Sequence, residues 1–168
     1  MLTTRRAALA DVPTILDLVR RVVPLMQASG NFQWSADYPN AAVFTADIAR
    51  NHLWVAELDG AIAGVAALTQ DQDEEYAQAD WDVAEPALVT HRLAVDPAAQ
   101  GKGVALALMA EAERQAVAQG LRVLRVDTNS ENAATQRLFP KLGYRFAGEI
   151  TLAFRPGLRF FCYEKQLK

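Results

Sequence analysis

The sequence predicts an α/β domain, a mostly antiparallel twisted sheet flanked by helices, in a single unit over residues 1–168. Three observations carry this. Two apolar runs, Leu53 to Leu58 and Ala61 to Leu68, are joined by Asp59-Gly60, the dipeptide that a two-residue type I′ hairpin prefers. A β-branched run, Ala87 to Val95, passes through Asp96-Pro97-Ala98-Ala99 and a glycine-bearing turn into apolar residues at helical spacing, Val104, Leu108, Ala112 and Ala116, with Ala105 and Met109 beside them. Strand-like and helix-like stretches alternate along the chain, with no internal repeat, low-complexity tract or linker.

Composition narrows the class. The chain is 51% hydrophobic and 22% charged, ordinary material for one globular core. A formal net charge of -3 leaves no electrostatic footprint for nucleic acid. One cysteine, Cys162, excludes an internal disulfide framework and fits a reducing compartment. Arg5 and Arg6 are not followed by an apolar stretch before Asp11 and Pro13, so no signal peptide is expected, and no apolar run is long enough to span a bilayer. The expected location is the cytoplasm, without a membrane partner.

In order, Leu2 to Arg6 reads as a first strand. Asp11 reads as a helix N-cap with Pro13 in the first turn. Ile15, Leu18, Val19, Val22 and Val23 give the helix one apolar face, ending near Pro24 or continuing bent to Ala28. After the Ser29-Gly30-Asn31 loop comes an irregular aromatic stretch with Phe32, Gln33, Trp34 and Tyr38, and then a short helix from Val43 to Arg50. The hairpin follows. From Asp71 to Glu85 the chain is acidic, with Tyr76 and Trp81 interleaved and no Lys or Arg between Arg50 and Arg92. Two readings stay open: a solvated loop, or a border whose field attracts a cationic amine. The carboxylate spacing does not follow the EF-hand pattern, and no metal site is expected.

Gln100-Gly101-Lys102-Gly103-Val104-Ala105 lies where a strand feeds a helix beginning near Gly103. A helix N-terminus offers unpartnered N–H groups and the positive end of the macrodipole, and glycine admits a bulky phosphate close to the backbone. The turn suits a phosphate or pyrophosphate, or simply a helix start. It is neither a P-loop nor a Rossmann fingerprint. Gly120 closes this helix. Leu121 to Asp127 reads as a strand, and Ser130 or Asn132 as the cap of a further helix. Phe146 to Phe154, an Arg155-Pro156-Gly157 turn and Arg159 to Leu167 complete the sheet.

Gln100, Gly103 and Ala105, preceded by Leu93-Ala94-Val95-Asp96-Pro97, resemble motif A of the GNAT family of acyl-CoA-dependent N-acyltransferases. Asn132 followed by Leu138, Phe139, Leu142, Gly143 and Tyr144 is similar to its motif B. The resemblance covers nearly the whole chain, most specifically residues 87 to 145. It implies a sheet splayed where the cofactor enters, and acetyl-CoA as that cofactor. By the resemblance, the loop Gln100 to Ala105, with Gly101, Lys102 and Val104, cradles the pyrophosphate. Leu93, Ala94 and Val95 meet the pantetheine at a bulged strand, with the Leu93 N–H polarising the thioester carbonyl; Asn132 and Phe139 contact the cofactor. Gln33, Trp34, Tyr38, Glu75, Tyr76 and Trp81 are expected around a primary amine of a small molecule or peptide.

Two residues need separate comment. His91 matches the position of a histidine implicated in proton removal in the serotonin N-acetyltransferase branch, whereas other branches use a glutamate where this chain has Val89. Strict alternation would put Val89, His91, Leu93 and Val95 on one face. Imidazole titrates near neutrality, so His91 is expected either to take the acceptor's proton or to be a packed sheet residue. Phe139 stands where the family often has a tyrosine that protonates the leaving thiolate, and Pro140 predicts a kink or early helix end. A weakly catalytic acyl-CoA-binding module is therefore the alternative. Cys162 is expected to be packed and inert. The protein is expected to be a monomer or homodimer.

Overall fold

The computed structural model describes residues 1–168. Seven strands form one sheet in the order β1-β2-β3-β4-β5-β7-β6. These are β1 (Leu2–Arg6), β2 (Leu53–Leu58), β3 (Ala61–Thr69), β4 (Leu88–Val95), β5 (Val123–Asn129), β6 (Arg145–Ile150) and β7 (Phe160–Gln166). Every neighbouring pair is antiparallel except β4 with β5. The helices are α1 (Val12–Ala28), α2 (Ala41–Ala49), α3 (Val104–Ala118) and α4 (Ala133–Lys141).

Local chemistry explains most boundaries. Asp59 and Gly60 both have positive φ, 52° and 85°, which a type I′ turn requires at both central residues. α3 ends at Gly120, whose N–H bonds Val117 O while Leu121 N–H bonds Ala116 O, a Schellman closure. α2 starts earlier than expected because the Asn40 side chain accepts from Val43 N–H at 3.1 Å. α1 runs through Pro24 to Ala28, and Ile15, Leu18, Val19 and Val23 are buried as the apolar spacing requires.

Four expectations are corrected. Asp11 precedes α1 but does not cap it: its carboxylate takes bonds from the Arg5 guanidinium and Ala8 N–H, which hold it below the usual carboxylate range, the Arg5 bond most of all. β5 begins and ends two residues later than expected, and the face that carries the buried Val123 also holds the buried Arg125–Glu164 ion pair. The strand after Tyr144 stops at Ile150, before the turn that holds Phe154. α4 passes Pro140 by one residue and closes at Gly143 in a second Schellman arrangement.

One sheet face packs on α3, α4 and their surroundings through Leu68, Leu88, Val104, Leu108, Leu124, Val126, Phe139 and Tyr163. The opposite face holds two separate clusters. Under α1 and α2 lie Ile15, Leu18, Phe44, Val55, Val65 and Ala94. Tyr76, from a short 3-10 turn, Glu74–Gln78, packs in the other with Val89, Phe160 and Cys162. Gly64 lets α3 approach β3 closely, since a Cβ there would stand 2.5 Å from Val104 Cγ1.

Candidate active site

β4 and β5 pair only over Leu88↔Leu124, Val89↔Arg125 and Thr90↔Val126. Beyond Thr90 they part, and a cleft of about 940 Å³ opens between them. Part of the cause is local. Arg92 has φ 53° and interrupts the register with β3 between Val65 and Ala67, a bulge that adds one residue to β4. The bulge corrects the strict alternation expected for this strand. Leu88, Leu93 and Val95 pack on the α3 face, whereas Val89 and Ala94 join the clusters of the other face. His91, one residue before the bulge, therefore shares a face with Val89 but not with Leu93.

The strand edge facing the cleft carries backbone donors. Asp96 N–H bonds Ala63 O on β3 at 2.8 Å. Alternation along the strand then turns Ala94 N–H toward β3, and Leu93 and Val95 N–H toward the parted edge. At the cleft's end, Gly101 and Gly103 have φ 77° and 82°, and a Cβ on Gly101 would meet nothing within 4 Å. The N–H groups of Gly101, Gly103, Val104, Ala105 and Leu106 donate to no acceptor within the protein. They converge at the start of α3, where the helix dipole adds to them, and form a main-chain cradle for an anion.

A chain of amides ending in a pyrophosphate fits this arrangement: the strand edge suits the amides and the cradle suits the phosphates. Gln100, Gly101, Gly103, Val104, Ala105, Leu93, Ala94, Val95, Asn132 and Phe139 all line the cleft. Lys102 does not, and its charge instead helps lower the Asp59 carboxyl, behind the larger effect of the N-terminal ammonium. Asn132 is the N-cap of α4, its Oδ1 accepting from Thr135 N–H at 3.2 Å. Phe139 is buried against Tyr144 and Tyr163, with ring centroids 5.8 and 5.4 Å away.

The other part of the cleft is made of side chains. Gln33, Trp34 and Tyr38 line it below α1, with Phe154 facing Tyr38 at 6.1 Å. Asp71, Asp73, His91 and Asp127 line it beside β4 and β5. Glu75, Tyr76 and Trp81 lie outside the lining. Tyr76 is fully buried and its hydroxyl donates to Asp127; Trp81 Nε1 donates to Tyr76 O at 2.7 Å and its ring lies 4.9 Å from the Arg125 guanidinium. Glu75 accepts from Ala153 N–H at 3.4 Å. Their roles here are packing and tethering. His52 also lines the cleft.

Several lining groups have little sequence signal. Arg92, the bulge residue, reaches α2 and bonds Asp47 with both Nε and Nη2, at 2.8 and 2.6 Å. Thr90, at the last β4–β5 pair, has a buried hydroxyl with no partner. Asp127 was visible only as a polar residue in a strand. Burial pushes its carboxyl above the usual range, while His91 pulls it back down.

Comparison with known proteins agrees with this geometry. A model of the acetyltransferase (GNAT) family matches residues 19–144. A GNAT-family acetyltransferase from Streptococcus agalactiae superposes with a TM-score of 0.81 at 26% identity, over 99% of this chain and 96% of that one. A GNAT-family acetyltransferase from Listeria monocytogenes gives 0.75 at 23% identity, over 99% and 95%. The PaiA N-acetyltransferase from Thermoplasma acidophilum, solved in complex with coenzyme A, gives 0.74 at 17% identity over 99% of each chain. Among curated proteins no sequence matches. With the family model spanning the parted strands, the cradle and α4, the chain belongs to the GNAT acetyltransferase family, whose cofactor is acetyl-CoA.

Proposed function

We propose that the protein is an N-acetyltransferase that moves the acetyl group of acetyl-CoA to a primary amine of a small molecule or peptide, by direct attack in a ternary complex. The carrying observation is that one cleft joins a main-chain anion cradle to a histidine set among carboxylates. When bound, acetyl-CoA supplies a thioester with an electrophilic acetyl carbon. The N–H groups of Gly101, Gly103, Val104, Ala105 and Leu106 would hold the pyrophosphate, and the Val95 N–H would hold the arm. Leu93 N–H polarises the acetyl carbonyl, a role that hydrogen-bond donors aimed at developing negative charge perform in acyl transfer.

The acceptor arrives as an ammonium and is drawn by Asp71 and Asp73 at the cleft wall. His91 takes one proton from it, leaving the nitrogen lone pair free. Gln33, Trp34 and Tyr38 hold the body of the acceptor, and juxtaposing the two reactants supplies much of the rate. Phe139 has no proton to give, so the leaving thiolate takes its proton from water. This same residue favours a second reading, an acyl-CoA-binding module with little turnover.

The test is thiol release from acetyl-CoA across a panel of amines, with Gly103→Glu alongside and circular dichroism to establish that both proteins are folded. The substitution places a carboxylate in the anion cradle. Turnover that disappears in the variant supports the enzyme. Calorimetric binding that the variant abolishes, with every amine silent, supports the binding module instead. Absence of acetyl-CoA binding by the unaltered protein overturns both.

A further inference from the structure

Behind His91 the structure builds something the transfer reaction as described above does not use. A ring nitrogen of His91 and carboxylate oxygens of Asp73 and Asp127 all lie within 4.8 Å of one another. His91 Nε2 also stands 3.5 Å from Asp71 O. Asp127 comes from β5, across the parting of the strands. Its position is fixed from below by Tyr76, whose hydroxyl donates to its Oδ2. Tyr76 is 0% exposed and sits among Val89, Ile150, Phe160 and Cys162. A phenylalanine would fill that core equally well, and a hydroxyl placed there costs free energy unless it is bonded. The hydroxyl finds its bond on the one carboxylate that reaches the cleft from β5.

The surrounding charges point the same way. Facing His91 are Asp71 and Asp73 from the loop after β3, Asp127 from β5, and Tyr76 from the 3-10 turn. Cys162 lies opposite Asp127 on β7. Arg125, two residues before Asp127 on β5, is fully buried and already engaged by Glu164, Gln72 and the Asp82 carbonyl. Arg92, next in sequence, is committed to Asp47 on α2. Asp127 and Asp73 therefore lack a guanidinium or ammonium partner, and an imidazolium at His91 would supply one.

We infer that Asp127 is a positioning residue for His91: it orients the ring and stabilises the imidazolium formed when the acceptor's proton is taken, while Tyr76 holds Asp127 in place. The inference rests on the reading of His91 as proton acceptor. In the step, the ammonium N–H bond breaks and the proton moves to a His91 ring nitrogen. The freed amine lone pair forms the bond to the acetyl carbon, the nitrogen sheds its second proton to water, the carbon–sulfur bond breaks, and the sulfur keeps that pair and takes a proton from water. Asp127 remains a carboxylate throughout, and His91 returns its proton to solvent.

The test does not need turnover. The chain has two histidines, His52 and His91, so NMR titration of the ring signals in the ligand-free protein separates them. Asp127→Asn keeps the shape and leaves Tyr76 an oxygen to donate to. It is expected to move the His91 titration to lower pH by about one unit, tenfold in proton affinity, with His52 unmoved. Where the protein turns over, the acid limb of the kcat/KM profile moves with it and kcat falls more than KM changes. Tyr76→Phe, which keeps the carboxylate, is expected to lower kcat without that downward shift. Should Asp127→Asn fail to fold, Asp127→Ser carries the same expectation. A His91 titration unmoved by loss of the Asp127 charge overturns the inference, whatever the turnover. A shifted titration in a protein inactive toward every amine supports the pairing and overturns the transferase reading instead.

Discussion

Gly64→Ala tests how tightly the anion cradle is tied to the sheet. The added methyl would lie 2.5 Å from Val104 Cγ1 and 3.1 Å from both Ala94 O and Leu108 Cδ1. Ordinary carbon contacts begin near 3.4 Å, so Val104 must withdraw by about 1 Å. Val104 cannot turn aside alone, because it opens α3 and the buried Leu108, Ala112 and Ala116 fix that helix on the sheet. Overpacking of this kind costs about 1–3 kcal/mol. The backbone of Gly64 is in a region alanine accepts, so restriction of the unfolded chain returns about 0.4–1 kcal/mol. A net loss of about 1–2 kcal/mol corresponds to a Tm lower by about 2–8 °C. The same displacement moves the Val104 and Ala105 N–H groups, so the Kd for acetyl-CoA should rise while that for a free amine is unaffected. Thermal unfolding and titration calorimetry measure the two effects, and Gly64→Ala with Val104→Ala should recover part of both because the colliding methyl is gone. An unchanged Tm with an unchanged Kd would refute the claim that β3 sets the height of the cradle.

Two further outcomes follow from buried polar groups. Arg125→Met leaves Glu164 buried with only the half-exposed Arg145, and should cost about 3 kcal/mol in urea unfolding; replacing Glu164 by Leu as well should recover most of it. The second concerns alkaline pH. Burial, the largest influence on each, pushes the Cys162 thiol and the Tyr144 hydroxyl up. Each is an acid held neutral by folding. Their contribution is complete below the unfolded-state values, about 8.5 for cysteine and 10 for tyrosine, and is lost as pH rises beyond them. Urea midpoints should therefore fall between pH 8 and 10.5, less steeply in Cys162→Ala, and a flat series in both proteins would contradict this.

Sequence and structure agree where the determining physics is local. Asp59-Gly60 needs only its own dihedrals to make a hairpin, and Gly103 followed by an apolar helical stripe needs only its neighbours to place a helix N-terminus. The readings that changed depend on distant partners. Asp11 looks like a cap until Arg5 on β1 claims its carboxylate. Tyr76 in an acidic stretch looks like part of the acceptor site until its hydroxyl is found buried against Asp127. Alternation along β4 fails at a single residue, Arg92, whose positive φ no local signal demands; the ion pair with Asp47 on α2 rewards it. One inserted residue moves every side chain beyond it to the other face, which is why His91 and Leu93 part company.

The seam between β4 and β5 also bears on how the molecule comes apart. Only three residue pairs join the two halves of the sheet there, against seven between β5 and β7. The apolar core is continuous across the seam beneath α3, but on the opposite face it is split in two with the cleft between. The domain thus resembles a book bound along one spine. A molecule that touches both leaves, as one lying from the α3 cradle to Asp127 must, favours the closed form and leaves the open one unaided. By linkage, its binding energy becomes resistance to local opening at the spine. Occupancy of the cleft and resistance to opening at the seam are thereby coupled.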